Sequence, residues 1–470
     1  MAPKTVHLVA ACGTAMGTLA GILKSQGIRV TGSDQNVYPP MSTQLEKMGV
    51  ELFTGYDPSH LSHKPDLVVI GNAVRRDNVE ARAAIDGGYP YVSFTDALAQ
   101  FFLEGKESVV IAGTHGKTTT TSLLSHLFIA AGRDPNLFVG GIAQNLGTSF
   151  YLGKGPLAFL EGDEYDTAFF DKTPKFWHYR VKHALITHVE YDHADIYENV
   201  EAVEAAFAKF ITLIPKDGSL TACASAARLM RLVDAYKKSG GDAPIETYSV
   251  HTAADWTADK LDLHATGATF TAMHKGKALG EFTVPLVGTH NAENALGAIA
   301  VATRLGLSAA EIDSGLQSFT GVKRRMEERG TVRGITIVDD FAHHPTAVAA
   351  TLQAAQQRYP KRRIIAVFEP RSQTSRRKIF QNDYEEAFSH ATVAFFSTPF
   401  ASDTLAKEEL FDSEELAEGL RTRGVTAAAL SDATAIVGEI AKIAREGDVV
   451  LVMSNGAFGG IHDKLLAALA

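Results

Sequence analysis

The sequence predicts an α/β protein of three domains in series, covering residues 1–105, 106–322 and 323–470, each built on a mainly parallel sheet. Three observations carry that expectation. The length of 470 residues accommodates about three domains of roughly 150 residues each, every one long enough to bury a core. Short apolar strands alternate with helical stretches from end to end, the pattern of βαβ units. That periodicity breaks twice, at the short polar link around residues 101–107 and at the charged stretch 323–329.

Composition narrows the class. Hydrophobic residues at 45% and charged residues at 21% are ordinary for a globular chain and exclude a disordered tail or a fibre. With 45 Lys+Arg against 54 Asp+Glu the net charge is −9, opposite in sign to a protein whose main work is gripping nucleic acid. Cys12 and Cys223 are the only cysteines, too few for a disulfide framework, which suits a reducing compartment. The opening Met-Ala-Pro-Lys-Thr-Val-His lacks a signal-peptide apolar region, and no apolar run is long enough to span a bilayer. The expectation is a cytoplasmic protein that binds neither nucleic acid nor membrane.

The first block opens with a strand at residues 7–11, a turn, and a helix through Leu19 and Leu23; further strands end at Asp34 and Ile70. The turn Cys12-Gly13-Thr14-Ala15-Met16-Gly17 resembles a dinucleotide fingerprint only superficially. In G-x-G-x-x-G the glycines are two, three or five positions apart, whereas Gly13 and Gly17 are four apart, so NAD binding is disfavoured. A helix N-terminus after Gly13 and Thr14 still suits a diphosphate, with Asp34 placed to accept a hydroxyl from ribose or sugar. A purely structural βα turn explains the same residues equally well.

The second block begins with the strand 108–112 and runs directly into Gly113-Thr114-His115-Gly116-Lys117-Thr118-Thr119, followed by a helix carrying Leu123, Leu124 and Leu127. A glycine turn between a buried strand and a helix presents backbone N–H groups to a polyphosphate. Lys117 would reach the β/γ-phosphates and the Thr118 hydroxyl would sit on magnesium. The spacing departs from GxxxxGK[ST], because Ile111 stands where the first glycine belongs. Two further strands, 157–160 and 184–187, end in Glu161-Gly162-Asp163-Glu164-Tyr165-Asp166 and Glu190-Tyr191-Asp192-His193. Strand ends on that rim are where ligands bind in a parallel sheet. Hard carboxylate oxygens there suit magnesium, and Glu161 and His193 are the candidate metal ligands or water-holders. Asp163, Glu164 and Asp166 are expected to be solvated loop charges.

Farther on, His290 and Asn294 are four apart on one helix face, where an asparagine matches the donor–acceptor edge of adenine. Helix capping by Asn291 is the favoured alternative on sequence alone. Polar strand ends recur at Asp339-Asp340-Phe341-Ala342-His343-His344 and at Glu369-Pro370-Arg371-Ser372. Arg371 would fork onto a substrate carboxylate, and Arg324 and Arg325 would reach a phosphate across a domain gap. The basic runs 361–363 and 376–378 are expected on solvated faces. Asn455-Gly456 marks either a tight turn or a close backbone approach to a ligand.

These motifs, in this order, resemble those of the Mur ligases, ATP-dependent amide-forming enzymes of peptidoglycan synthesis. The anchors are GTHGKTT (113–119), EGDEYD (161–166), Asp192-His193, HNAEN (290–294), GVKRRME (321–327) and DDFAHHPT (339–346). The implied architecture is an N-terminal Rossmann-like domain for UDP-N-acetylmuramate, a central P-loop ATPase domain, and a C-terminal Rossmann-like domain for the amino acid or peptide. Four stretches, CGTAMG (12–17), GSDQNVYPPMST (32–43), EYDTAFFDKTPKFWHY (164–179) and FEPRSQT (368–374), are similar to the recycling branch. That branch joins the murein tripeptide L-Ala-γ-D-Glu-meso-diaminopimelate to UDP-N-acetylmuramate. The alternative is the branch that adds L-alanine, which usually carries tyrosine where Phe341 stands and His-Arg-Tyr where Arg371-Ser372-Gln373 stands.

The resemblance implies ATP as co-substrate and Mg²⁺, with Gly113, Thr114, His115, Gly116, Lys117, Thr118 and Thr119 around the phosphates. It implies Thr118, Glu161 and His193 on the metal and His290 and Asn294 at the adenine. Arg325 and Asp340 would complete the nucleotide site. Gly13, Thr14, Asp34 and Asn72 would line the UDP pocket, and Arg371 and His343 would face the incoming peptide. Catalytic roles are implied for Lys117, His193, Arg325 and His343. Several family members carry a carbamylated lysine after the magnesium histidine; Phe207 occupies the matching position here and Lys209 is out of register, so none is assigned. No obligate protein partner is implied, and the pathway is cell-wall biogenesis, with its consequences for cell shape and division.

Overall fold

A computed structural model describes residues 3–37, 41–389 and 391–470; Tyr38, Pro39 and Pro40, within the stretch 32–43, lie outside the described residues. The first sheet holds β1 (Thr5–Val9), β2 (Arg29–Asp34), β3 (Glu51–Thr54), β4 (Leu67–Ile70) and β5 (Tyr91–Ser93), in the order β3-β2-β1-β4-β5. All its pairings are parallel. Because β2 and β4 lie on opposite sides of β1, the loops after β1 and β4 diverge and leave a crevice at the strand ends. Gly13 and Thr14 sit on one wall of that crevice and Asn72 follows the other strand. Asp34 closes the turn by accepting the Cys12 N–H at 2.8 Å.

Beneath this sheet lies a polar cluster that the sequence reading missed. Glu80, fully buried on the helix Val79–Asp86, accepts His7 Nε2 at 2.5 Å and Ser33 Oγ at 2.7 Å on one oxygen. Its other oxygen takes the Asp57 N–H at 3.0 Å and His60 Nδ1 at 2.9 Å. Burial opposes its charge, but the bonds from His7, Ser33 and His60 outweigh it and hold the carboxyl below its ordinary 4.5. A depressed folded value means stabilisation present above about pH 4.5 and lost as pH falls through the folded value. Glu80→Leu strands both histidines and is expected to cost about 3–5 kcal/mol at pH 7. Urea melts at pH 7 and pH 3 check this: the gap from wild type should narrow at the lower pH.

The central sheet has ten strands in the order β17-β16-β15-β14-β13-β12-β6-β9-β7-β8. They are β6 (Glu107–Ala112), β7 (Asn136–Ala143), β8 (Thr148–Tyr151), β9 (Leu157–Gly162), β12 (Val181–Ile186), β13 (Ser219–Cys223), β14 (Ile245–Ser249), β15 (Trp256–His264), β16 (Gly267–His274) and β17 (Lys277–Val284). A separate hairpin, β10 (Asp166–Ala168) with β11 (Asp171–Pro174), leaves this sheet. Strands β6, β9, β7 and β12 to β15 pair in parallel, as expected, while β8 and the β15–β17 meander are antiparallel. The meander escaped the sequence reading; its β16–β17 turn is the two-residue loop Lys275-Gly276, both with positive φ (49° and 78°). One apolar core runs continuously from the first sheet into the central one. The hairpin tip reinforces that junction, with Phe169 packed on the first unit's second apolar cluster and Phe170 edge-on to Tyr91 at 5.5 Å.

The third sheet comprises β18 (Glu327–Val332), β19 (Ile335–Asp340), β20 (Ile364–Phe368), β21 (Val393–Ser397), β22 (Thr426–Leu430) and β23 (Val449–Met453), ordered β18-β19-β23-β20-β21-β22. Only β18 is antiparallel, and apolar clusters cover both faces. In the two basic runs Lys361 and Lys378 are exposed as expected, whereas the arginines are half-buried and tied to the fold. Arg363 pairs with the buried Asp448 at 2.6 Å, and Arg362 donates to Gly447 O at 2.7 Å. Arg376 donates to Thr404 Oγ1 at 3.0 Å. These arginines bolt strand ends to loops distant in sequence, so local charge density misreads them.

Candidate active site

The phosphate loop leaves the buried strand β6 and enters the helix Lys117–Ala130. Two glycines let it turn this tightly. Gly113 and Gly116 have φ of 129° and 79°, and a Cβ at either would lie 2.2 Å from Thr187 Oγ1 or 2.7 Å from Asn294 Oδ1. Thr114 and His115 face the end of β12: Thr114 Oγ1 accepts the Glu190 N–H at 2.8 Å, and His115 Nε2 lies 3.0 Å from Glu190 Oε2. Lys117 Nζ donates to Gly113 O at 2.7 Å and to Glu164 Oε2 at 2.9 Å. Burial disfavours that ammonium, yet Glu164, Asp163 and Glu161 together raise its pKa. The Thr118 hydroxyl donates to Glu161 Oε1 at 2.9 Å while the Gly140 N–H holds Glu161 Oε2 at 2.7 Å. Thr119 is buried in the first helical turn.

The acids after β9 are not the solvated charges expected. Glu164 is 2% exposed and Asp166 7%. Glu164 stands between Lys117 and His193, whose Nε2 is 3.3 Å from Glu164 Oε1, and Lys175 pairs with Asp163 at 2.7 Å. Each cation comes from a different segment, which is why the pairing is invisible in the motif itself. His193 adopts a left-handed φ of 54°; burial lowers its pKa, but Asp192 and Glu164 together lift it to about 9. Among the described residues His193 joins Asp163 and Glu164 in one ligand-sized cluster, whereas Glu161 is drawn to Thr118.

Parts of the third unit close over this rim. His344 Nε2 meets Tyr191 O at 3.2 Å, Thr346 Oγ1 donates to Glu190 at 2.8 Å, and Thr374 Oγ1 donates to Asp192 at 2.6 Å. His343 Nε2 lies 3.7 Å from Asp192 Oδ2. Arg324 is committed to Asp339 at 3.3 Å and to the carbonyls of Ser454 and Gly456. Arg325 instead rests on the Phe341 ring at 4.9 Å and has no hydrogen-bonded partner among the described residues. Asp340 braces that turn by accepting the N–H groups of Met326 and Ala342, each at 2.8 Å; burial raises its pKa against Arg325. Arg371 stacks on Phe400 at 3.7 Å beside Gly456, where a Cβ would meet its guanidinium at 2.1 Å. The close approach at Gly456 is therefore to Arg371.

The helix Thr289–Arg304 is capped by Gly288, and Asn291 bonds back to Val287 O at 2.8 Å, so the capping role expected for Asn291 is not observed. Asn294 backs Gly116. His290 is kept neutral, its pKa pushed by burial to about 4, with Arg325, His188 and His115 adding to the shift. Phe207 is fully buried against Phe176 at 5.2 Å.

Three family models match the chain: "Mur ligase family, catalytic domain" over residues 5–105, "Mur ligase middle domain" over 111–302 and "Mur ligase, glutamate ligase domain" over 324–456. The chain is 39% identical over 466 residues to the UDP-N-acetylmuramate–L-alanyl-γ-D-glutamyl-meso-2,6-diaminoheptandioate ligase of Escherichia coli strain K12, covering 99% of this chain and 98% of that protein. It is 34% identical to the UDP-N-acetylmuramate–L-alanine ligase of Caldanaerobacter subterraneus, covering 98% of this chain and 97% of that one. A crystal structure of a murein peptide ligase from Psychrobacter arcticus superposes with a TM-score of 0.74 at 35% identity, covering 99% of this chain and 98% of that one. The order of the three sheets, the phosphate loop and these full-length likenesses agree: the chain belongs to the Mur ligase family.

Proposed function

We propose that this chain couples ATP cleavage to amide formation between the lactyl carboxylate of UDP-N-acetylmuramate and the free amine of the murein tripeptide L-Ala-γ-D-Glu-meso-diaminopimelate. The observation that carries the reading is that Arg325, a guanidinium from the third unit with no hydrogen-bonded partner among the described residues, lies within electrostatic reach of Glu161, the carboxylate bonded to Thr118 of the phosphate loop. The γ-phosphoryl group passes to the carboxylate, giving an acyl phosphate. The alanine amine then attacks, and the tetrahedral intermediate expels phosphate. Lys117 lies at the loop mouth to neutralise the transferring group, and Arg325 supplies a second positive charge when the third unit is docked. Asn294 and the neutral His290 border the same loop on the nucleotide side. Gly13, Thr14, Asp34 and Asn72 line the crevice for the UDP group, and Arg371 and His343 face the peptide.

The oxygens of Thr118 and Glu161 fit Mg²⁺, which prefers hard oxygen, takes few protein ligands and keeps several waters, one of which His193 would hold. Thr118, Glu161 and His193 would hold it, as two neighbouring groups: the Thr118–Glu161 contact at 2.9 Å and the His193–Glu164 contact at 3.3 Å. When bound, Mg²⁺ would supply positive charge against the phosphate oxygens.

The full-length relative named for L-alanine addition supports a second reading, the same chemistry with a smaller acceptor. Purified protein given ATP, Mg²⁺ and UDP-N-acetylmuramate, with tripeptide and L-alanine in separate reactions, decides between them by the mass of the UDP-linked product. The expected result is efficient coupling of the tripeptide; coupling of L-alanine alone would overturn the proposal.

A further inference from the structure

Glu190 has no part in the chemistry just described, yet it touches both the phosphate loop and the third unit. Its N–H donates to Thr114 Oγ1 at 2.8 Å, and its Oε2 takes His115 Nε2 at 3.0 Å, so it grips two consecutive residues of the phosphate loop. The same oxygen accepts the Thr346 hydroxyl at 2.8 Å and lies 3.6 Å from His344 Nδ1. Both of those residues open the helix Pro345–Arg358 of the third unit. The rings of His115 and His344 meet at 4.6 Å, and Phe380 backs His344 edge-on at 4.8 Å. Burial drives His344 to about 3, with His115 adding to the shift. It is therefore neutral at pH 7, and its contact with Glu190 is packing rather than an ion pair.

We propose that Glu190 is a positioning residue that links the placement of the phosphate loop to the docking of the third unit. The proposal rests on reading residues 113–119 as the nucleotide site. The physical argument concerns one shared acceptor. With the third unit docked, Oε2 is held from both sides and His115 is fixed between Glu190 and His344. With the unit apart, Thr346 and His344 leave, and the loop keeps only its own side of the contact. Docking and nucleotide binding then share a free energy, and linkage requires each to strengthen the other by the same factor. Neither Glu190 nor Thr346 needs to touch a phosphate for this to hold.

The test uses the full chain and a non-hydrolysable ATP analogue with Mg²⁺, so no ligation is required. Thr346→Val removes the hydroxyl on the third unit without altering the loop. The coupling predicts that it weakens analogue binding about three- to tenfold by calorimetry, that Glu190→Gln does the same, and that the double variant is no weaker than the weaker single one. Thr346→Ser, which keeps the hydroxyl, should restore wild-type affinity. Small-angle scattering should show analogue-induced compaction in wild type and Thr346→Ser, reduced in the other variants. A structural contact alone would leave analogue affinity untouched in Thr346→Val, and that result, or additive losses in the double variant, overturns the proposal. Absence of analogue binding by wild type would instead remove the nucleotide reading of the loop, and the proposal with it. Normal analogue coupling without tripeptide turnover would reject the proposed substrate while leaving this link in place.

Discussion

Lys117→Met is expected to slow ADP release about a thousandfold while leaving affinity for UDP-N-acetylmuramate within about twofold of wild type. The ammonium is held over the loop mouth by Gly113 O and Glu164, inside a group of carboxylates that keeps it charged. Removing one preorganised charge or donor from a water-poor site of this kind typically costs about 10²–10³ in kcat. Here the loss should reach the upper end, because Glu164 is then left beside the loop with its negative charge facing the phosphates. The crevice proposed for the UDP group lies on another sheet, between the ends of β1 and β4, which is why sugar-nucleotide binding should survive. Coupled-assay ADP release and calorimetry with UDP-N-acetylmuramate check the two halves separately. Turnover like wild type would remove the phosphate-loop assignment, as would a soaked ATP analogue found lodged elsewhere.

Arg325→Met is expected to lower kcat by about a thousandfold with a much smaller change in nucleotide affinity. An arginine contributed by one unit to a phosphoryl transfer on another can stabilise the transition state by that order. The methionine keeps an apolar stem against Phe341, so the linker should stay folded. Arg324 cannot substitute, since Asp339 and the carbonyls of Ser454 and Gly456 already occupy it. Arg325→Lys should recover only part of the loss, because an ammonium lacks the planar fork of a guanidinium. Single-turnover kinetics with saturating ATP separate the chemical step from binding; an unchanged single-turnover rate would remove Arg325 from the reaction.

Much of the architecture was legible without coordinates. Strands 67–70, 364–368 and 449–453 match those expected from their apolar runs, because strands buried on both faces are uniformly apolar. The β15–β17 meander was not, because it lies at the sheet edge with one face exposed and alternates weakly. Motif-borne residues were found by spacing: the loop glycines, Lys117, Thr118 and Glu161. Glu80, Glu164 and Glu190 were missed or discounted for a common reason. Each is a carboxylate whose partners come from distant segments, His7 and His60 for Glu80, Lys117 and His193 for Glu164, His115 and Thr346 for Glu190.

By itself the sequence determined the α/β class, the three successive sheets, the strand–turn–helix at residues 108–130, and the family. All of these follow from local periodicity, turn chemistry and short motifs. The tertiary structure alone decided which of two adjacent arginines lacks a hydrogen-bonded partner among the described residues, which acids are buried, and that the third unit lies against the rim of the second. Those outcomes depend on desolvation and on partners brought together across the chain, and neither quantity has a local signature in the order of the residues.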